Sequence, residues 1–85
     1  MAATIGHIGP FVEGQEEWPQ YAERIEHFFK ANGIVGEEKQ LATFFSLIGP
    51  QTYKLLSSLV APSKPGEKKY AEVVEELKNH YDPQP

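Results

Sequence analysis

The chain has 85 residues, of which 40% are hydrophobic and 12% aromatic, a formal charge of −4 and no cysteine. A chain of this length forms one domain, and the lack of cysteine excludes a disulfide framework and a thiolate metal site. Acidic residues outnumber basic ones 12 to 8. A domain that binds phosphate groups presents a basic face, so nucleic acid is not expected as a direct partner.

The sequence shows no sign of export or of membrane insertion. Residues 1–5 have neither the basic segment nor the apolar run of a signal peptide, and no apolar stretch approaches the length that spans a bilayer. The absence of cysteine also suits a reducing compartment. These features predict an intracellular, cytoplasmic protein without a membrane partner.

Residues 1–15 form the first segment, an N-terminal arm without a helical period. Ile5, Ile8 and Phe11 stand among glycines and a proline, a composition that favours extended chain and turns. Terminal segments are often disordered. Three large apolar residues within seven positions nevertheless favour an arm that packs in part onto the domain.

The first predicted helix begins near Glu16 or Glu17 and ends at Asn32 and Gly33. Pro19 suits the first turn of a helix, where its missing N–H is not needed, and an Asn-Gly pair is a common left-handed stop. With a period of 3.6 residues, one face of this helix is apolar. Its members are Trp18, Tyr21, Ala22, Ile25, Phe28 and Phe29.

Two further helices are predicted on either side of Gly49 and Pro50. The helix over residues 37–48 carries apolar side chains around more than half of its circumference, which predicts that it is the central, most buried helix. The helix over residues 51–60 has a narrower apolar stripe, and Leu55 lies outside it, either against the arm or exposed. The predicted buried residues of this helix are Tyr53, Leu56, Leu59 and Val60.

A fourth helix is predicted over residues 69–81, after a polar loop. Residues 82–85 break this helix and read as a linker, so the helical lobe spans residues 16–82 and the linker starts at residues 83–85. Short connections and the absence of an alternating pattern predict an all-α fold, a compact bundle of about four helices with an extended N-terminal arm. The apolar stripe of the fourth helix contains Tyr70, Val73, Val74, Leu77 and Tyr81.

No grouping of residues predicts catalysis or metal binding. His7, His27 and His80 lie in three different segments, and none of the spacings that place two metal ligands on one helix is present. No serine has the glycine neighbours of a nucleophile elbow, and no glycine-rich loop carries the lysine that binds a nucleotide phosphate. We therefore expect neither an enzyme nor a cofactor.

The aromatic residues have two interpretations. Apolar side chains at helical spacing most often form the core. A domain this small is not expected to cover all of them, and those left exposed would bind another helix or an extended peptide. The candidate interface or groove residues are Ile5, Ile8, Phe11, Trp18, Tyr21, Phe28, Phe44, Tyr53 and Leu55.

Several segments, taken in order, resemble the Gag capsid protein of gypsy-type long-terminal-repeat retrotransposons. They are FVEG (11–14), WPQYAERIEHFF (18–29), ANGI (31–34), KQLATFFSLIG (39–49), YKLL (53–56), the Ala61-Pro62 break, YAEVV (70–74), Leu77 and HYDP (80–83). Each position is only an apolar or turn residue, so the order and spacing of the segments carry the likeness. It spans nearly all of residues 11–83.

The resemblance implies the N-terminal capsid lobe of a retrotransposon Gag protein, or of a host gene domesticated from one. A second helical lobe and often a zinc knuckle follow this lobe in the family, so the chain looks like the first half of a longer protein. The implied function is structural, with full-length copies forming the pentamers and hexamers of a shell. The isolated lobe is then expected to be monomeric or to associate weakly.

A second function follows from the likeness to domesticated Gag proteins of the Arc type. That likeness implies an adaptor lobe in which an apolar groove holds a short peptide ligand, close to the chain's own N-terminal segment. The apolar arm, with Ile5, Ile8 and Phe11, would then occupy the groove as a tethered ligand. The two functions, shell subunit and peptide adaptor, remain alternatives at this point.

Overall fold

Four α-helices follow the arm in the computed structural model, which describes residues 5–82. Residues 1–4 and 83–85, predicted as the start of the arm and as a linker, lie outside the described residues. None of the helices in the described part is long and apolar enough to cross a membrane. The helices are α1 (Trp18–Ala31), α2 (Glu37–Ile48), α3 (Pro50–Val60) and α4 (Tyr70–Tyr81), and a 3-10 turn (Pro65–Glu67) precedes α4. The predicted all-α bundle with an N-terminal arm is confirmed.

Helix α1 ends at the left-handed glycine that the sequence predicted. Gly33 has a φ of +62°, and its N–H donates to the Lys30 carbonyl at 3.4 Å. The N–H of Ile34 donates to the Phe29 carbonyl at 2.9 Å. These two bonds form a Schellman motif, which satisfies carbonyls that the end of a helix otherwise leaves without partners.

Helix α4 is the centre of the bundle, since it packs against each of the other three helices. Its Val73 and Leu77 side chains have no exposed surface. The prediction that α2 is the central helix is therefore wrong, although α2 buries Phe44 completely. Phe45 and Leu47, on the second apolar side of α2, are only half-buried, because a chain of this size cannot cover both sides of that helix.

Helix α3 buries a different stripe from the predicted one. The stripe consists of Thr52, Leu56 and Val60. The predicted burial of Tyr53 is wrong, because 38% of its surface is exposed. Tyr53 lies one position off the stripe, so its ring packs against Phe45 at the edge of the bundle. Leu55 and Leu59 are half-buried against the core.

The arm contributes to the core, as predicted. Ile8 and Phe11 are only 8% and 6% exposed and belong to the same hydrophobic cluster as the buried residues of the helices. That cluster contains Ile8, Phe11, Trp18, Tyr21, Ile25, Phe29, Leu41, Phe44, Ile48, Leu56, Val60, Val73 and Leu77. The arm is therefore a structural part of the lobe from Ile8 onward.

Candidate interaction surfaces

Phe11 fills a groove between the start of α1 and the end of α4. Its ring centroid lies 5.1 Å from that of Trp18, 5.2 Å from Tyr21 and 4.7 Å from Tyr81. Trp18 and Tyr21 share one side of α1 because they are three residues apart. The Trp18 Nε1–H donates to the Val74 carbonyl at 3.3 Å, which fixes the indole against α4. Trp18, Tyr21 and Tyr81 are called the aromatic groove below.

Hydrogen bonds to the backbone hold the arm against α1 and α2. The Phe11 N–H donates to the Ile48 carbonyl at 3.2 Å. The Tyr21 hydroxyl lies 2.9 Å from the Gly9 carbonyl and 3.0 Å from the Leu47 carbonyl. Because a phenol has a single proton to donate, these two acceptors share it. One buried hydroxyl therefore connects α1, the arm and α2.

Gly49 allows the arm to approach the α2–α3 junction closely. Its φ is +90°, in the left-handed region, and a Cβ added at this position would lie 2.5 Å from the Cβ of Pro10. Glycine is the residue that adopts this conformation without a steric penalty. The sequence indicated Gly49 as a helix stop, but its contact with the arm was not predicted.

The Asn32 side chain holds Ile5, the first described residue of the arm. Its Oδ1 accepts the Ile5 N–H at 2.6 Å, and its Nδ2 donates to the carbonyls of Ile5 and Phe28, both at 2.9 Å. Asn32 therefore joins the start of the arm to the end of α1. Sequence reasoning identified Asn32 only as part of a helix stop, and no pattern signals a contact across 27 positions.

Burial raises the pKa of three tyrosines. For Tyr21, burial and then the nearby Glu16 carboxylate raise the pKa from 10.0 to about 12. The Tyr70 hydroxyl donates a hydrogen bond to the Glu26 carboxylate at 3.2 Å. Burial, and then the proximity of this carboxylate, raise the pKa of Tyr70. Burial is also the main cause of the raised pKa of Tyr81. All three shifts favour the neutral phenol, so these groups act as packing and hydrogen-bonding residues at neutral pH.

The nine predicted interface residues fall into three groups. The buried ones are Ile8, Phe11, Trp18, Tyr21 and Phe44. Phe28 and Leu55 are half-buried, whereas Ile5 and Tyr53 are 62% and 38% exposed. The arm and α4 cover Trp18 and Tyr21, so these two side chains contact Phe11 of the arm and are not exposed. Phe44 is likewise enclosed in the core.

The first exposed apolar patch lies where the arm crosses α1. Ile5, Phe28 and Ala31 line a depression of about 260 Å³ there, together with the polar side chains of His7, Arg24 and His27. Ile5 and Ala31 are exposed, and Phe28 is half-buried. We call Ile5, Phe28 and Ala31 the arm–α1 patch. Of these residues, Ala31 was not among the predicted site residues.

The second exposed apolar patch lies on the edge formed by α2 and α3. The rings of Phe45 and Tyr53 meet edge to face there, with centroids 5.2 Å apart and planes at 82°. We call these two residues the α2–α3 patch. Val35, in the loop between α1 and α2, is more exposed still at 76%, and it was also not predicted as a site residue.

The side chains that line these surfaces are mainly apolar, aromatic or acidic. Within residues 5–82, no three His, Asp or Glu side chains are placed to hold a metal ion. A depression of about 230 Å³ beside the aromatic groove is lined by Glu13, Glu16 and Glu17, with no histidine, lysine or serine among its lining residues. The two patches offer apolar surface of the kind that a partner protein buries.

Comparison of the chain with protein-family models, with curated protein sequences and with solved structures gave no match. The likeness to Gag capsid lobes therefore rests on the sequence segments quoted above.

Proposed function

We propose that this chain is a structural lobe of a Gag-type capsid protein, which binds copies of itself side by side in a shell. The observation that carries the proposal is the separation of the two exposed apolar patches. One lies on the arm and α1, and the other on α2 and α3. Identical subunits that pack into rings need two different patches that meet head to tail. This arrangement and the order of the Gag-like segments support a structural function over an enzymatic one.

Each patch is small, so the contact is weak in the isolated lobe. A stable interface buries about 1,200 Å² or more in total, whereas each patch offers only two or three partly exposed side chains. The net charge of −4 adds repulsion between copies, which salt screens. We therefore expect a monomer at low concentration and association near roughly 1 mM, where the free energy of association is about −4 kcal/mol.

Sedimentation equilibrium on patch variants tests the proposal. Ala31→Arg introduces a charge into the arm–α1 patch, and Tyr53→Arg introduces one into the α2–α3 patch. Both positions are exposed on helices, and arginine is a good helix former. Ala71→Arg makes the same change of charge on an exposed position of α4 outside both patches and is the matched control.

The proposal predicts that each patch variant loses the association that appears at high concentration and high salt. The Ala71→Arg control should associate like the unmodified chain. If both patch variants associate as strongly as the control, these patches are not the contacts between subunits. If the unmodified chain remains monomeric across salt and concentration, the capsid function loses its main physical support.

A second function, the peptide-binding adaptor, is supported by the position of Phe11 in the aromatic groove. The arm lies there without helical structure, anchored by one aromatic ring and by the bond from the Phe11 N–H to the Ile48 carbonyl. Main-chain hydrogen bonds with a side-chain pocket are a general way to bind an extended peptide. In this function the arm is a tethered ligand, and an external peptide takes its place.

Fluorescence of Trp18, the one tryptophan of the chain, reports on the groove directly. The Phe11→Ala variant weakens the contact between the arm and the groove. Circular dichroism tests whether the helices of this variant remain folded. If they do not, the milder Phe11→Leu variant replaces it. A synthetic peptide of residues 5–13 should then restore the emission of the unmodified chain, whereas the same peptide with alanine at its Phe11 position should not. An equal response to both peptides, or no response, would show that the groove serves only the arm.

A further inference from the structure

The amide of Asn32 uses both of its polar atoms to hold the start of the arm. The oxygen accepts the Ile5 N–H at 2.6 Å, and the nitrogen donates to the carbonyls of Ile5 and Phe28. A side chain in this position must therefore accept on one side and donate on the other, and a short primary amide does both. The Ile5 side chain is 62% exposed, so these bonds rather than packing fix the arm at Ile5.

Asn32 is followed by Gly33, and an Asn-Gly pair can close to a cyclic imide with loss of ammonia. The Gly33 backbone nitrogen can attack the Asn32 Cγ, because glycine has no side chain to hinder the approach. The new N–C bond closes a five-membered succinimide, the Cγ–Nδ2 bond breaks, and the amide leaves as ammonia with the Gly33 proton. Water then opens the ring to aspartate or isoaspartate. Asparagine is thermolabile in proteins for this reason.

We propose that Asn32 is a deamidation site, and that its conversion frees the start of the arm. The carboxylate formed still accepts the Ile5 N–H, but it has no proton to donate. Its second oxygen then faces the carbonyl oxygens of Ile5 and Phe28, at the positions where the amide now donates. The new negative charge also lies at the C-terminal end of α1, where the helix dipole disfavours it.

The docked arm in turn protects Asn32 from this reaction. Ring closure requires the Gly33 nitrogen to reach Cγ, but the Gly33 N–H is bonded to the Lys30 carbonyl in the Schellman motif. The side chain is held at the same time by its bonds to Ile5 and Phe28. Both sets of bonds must open before the ring can close. The rate of conversion therefore depends on how often the arm leaves the end of α1.

This inference does not depend on the proposed function, since it uses only the contacts of the arm. It assigns to the lobe an irreversible chemical step from a docked to a released arm. Because Ile5 is a member of the arm–α1 patch, conversion also alters that patch. The chain carries an internal reference, Asn79, which is exposed within α4 and is followed by His80 rather than by glycine.

The first experiment measures deamidation of the full chain by peptide mapping and mass spectrometry during incubation at mildly alkaline pH. Ile5→Pro removes the N–H that Asn32 accepts, and Ile5→Ala keeps that N–H while shortening the exposed side chain. Asn32 should deamidate about fivefold faster in the Ile5→Pro variant than in the unmodified chain. This ratio corresponds to the loss of a hydrogen bond worth about 1 kcal/mol. Ile5→Ala should leave the rate unchanged, and Asn79 should convert more slowly than Asn32 in every sample.

The second experiment measures amide hydrogen exchange in the Asn32→Asp variant. The Ile5 amide should exchange about fivefold faster or more, while the Leu77 amide in α4 should be unaffected. Equal rates of Asn32 conversion in the unmodified chain and in Ile5→Pro would overturn the protective role of the arm. Unchanged exchange at Ile5 in Asn32→Asp would overturn the release of the arm by deamidation.

Discussion

The ring of Phe11 meets the ring of Trp18 edge to face, with centroids 5.1 Å apart and planes at 88°. A pair in this geometry contributes about 0.5–1.5 kcal/mol beyond the burial of its surface. The two residues lie on either side of a turn in which the Gln15 N–H donates to the Val12 carbonyl at 3.1 Å. The chain therefore folds back before α1 begins, and a residue of the arm becomes part of the core.

Replacement of Phe11 by alanine should destabilise the lobe strongly. The side chain is 6% exposed and contacts three aromatic rings, so its removal should lower the free energy of unfolding by about 3–5 kcal/mol. Val12→Ala is the control, because Val12 is 44% exposed and its loss should cost less than about 0.5 kcal/mol. Urea unfolding measures both. A loss below about 1 kcal/mol for Phe11→Ala would mean that the arm is not integral to the fold.

Replacement of Gly49 by alanine should loosen the arm through two effects. The Gly49 backbone has a φ of +90° and a ψ of 162°, a conformation that costs a residue with a Cβ about 1–3 kcal/mol, and the added Cβ would collide with Pro10. Gly66→Ala is the control, because a Cβ at Gly66 would meet open space. We expect a lower free energy of unfolding and faster exchange of the Phe11 amide for Gly49→Ala alone. Matching behaviour of the two variants would count against the close approach of Pro10.

Tyr21→Phe isolates the hydroxyl that joins α1, the arm and α2. The variant keeps the ring but removes the donor for the Gly9 and Leu47 carbonyls, at a cost of about 1–3 kcal/mol. Tyr53→Phe removes the hydroxyl of an exposed tyrosine and should leave the free energy of unfolding nearly unchanged. Urea unfolding of the two variants at neutral pH measures the difference. Equal stability of the two variants would show that the shared hydrogen bond contributes nothing measurable.

The raised tyrosine pKa values predict a loss of stability at alkaline pH. The pKa of Tyr21 is 10.0 when it is unperturbed and about 12 in the fold, so the folded state holds the phenol proton more tightly than the unfolded state. This contribution to stability is fully present below pH 10 and is lost as the pH rises towards 12. The raised pKa values of Tyr70 and Tyr81 act in the same direction.

Urea midpoints measured across that pH range check the prediction. The midpoint should fall as the pH rises above 10, and the fall should be smaller in Tyr21→Phe, because one of the shifted groups is absent. A midpoint that does not change between pH 10 and pH 12 would contradict the assigned burial of Tyr21.

The helices could be predicted from sequence because their signals are local. Gly33 and Gly49 mark two helix ends through backbone conformations that glycine adopts readily, and the period of apolar residues marks the faces between them. The predicted helix boundaries differ from the observed ones by no more than two residues. The prediction that α2 is the central helix was wrong, because the width of the apolar face of a helix does not determine how many other helices pack against it.

The surfaces were less predictable, because they depend on contacts between distant positions. Ile5 and Asn32 are 27 positions apart, and Tyr21 and Leu47 are 26 apart. No periodic pattern in the sequence predicts a hydrogen bond between residues so far apart. The sequence correctly indicated that the arm packs onto the lobe, but it did not identify Trp18 and Tyr21 as the helix residues that Phe11 contacts.

The most direct test of head-to-tail contact is a mixing experiment with the two patch variants in analytical ultracentrifugation. Ala31→Arg retains an intact α2–α3 patch, and Tyr53→Arg retains an intact arm–α1 patch. Each variant alone should remain monomeric under conditions in which the unmodified chain associates. The mixture should form dimers and nothing larger, because each pair can make one intact contact. A mixture that stays monomeric under those conditions would contradict the claim that the two patches bind each other.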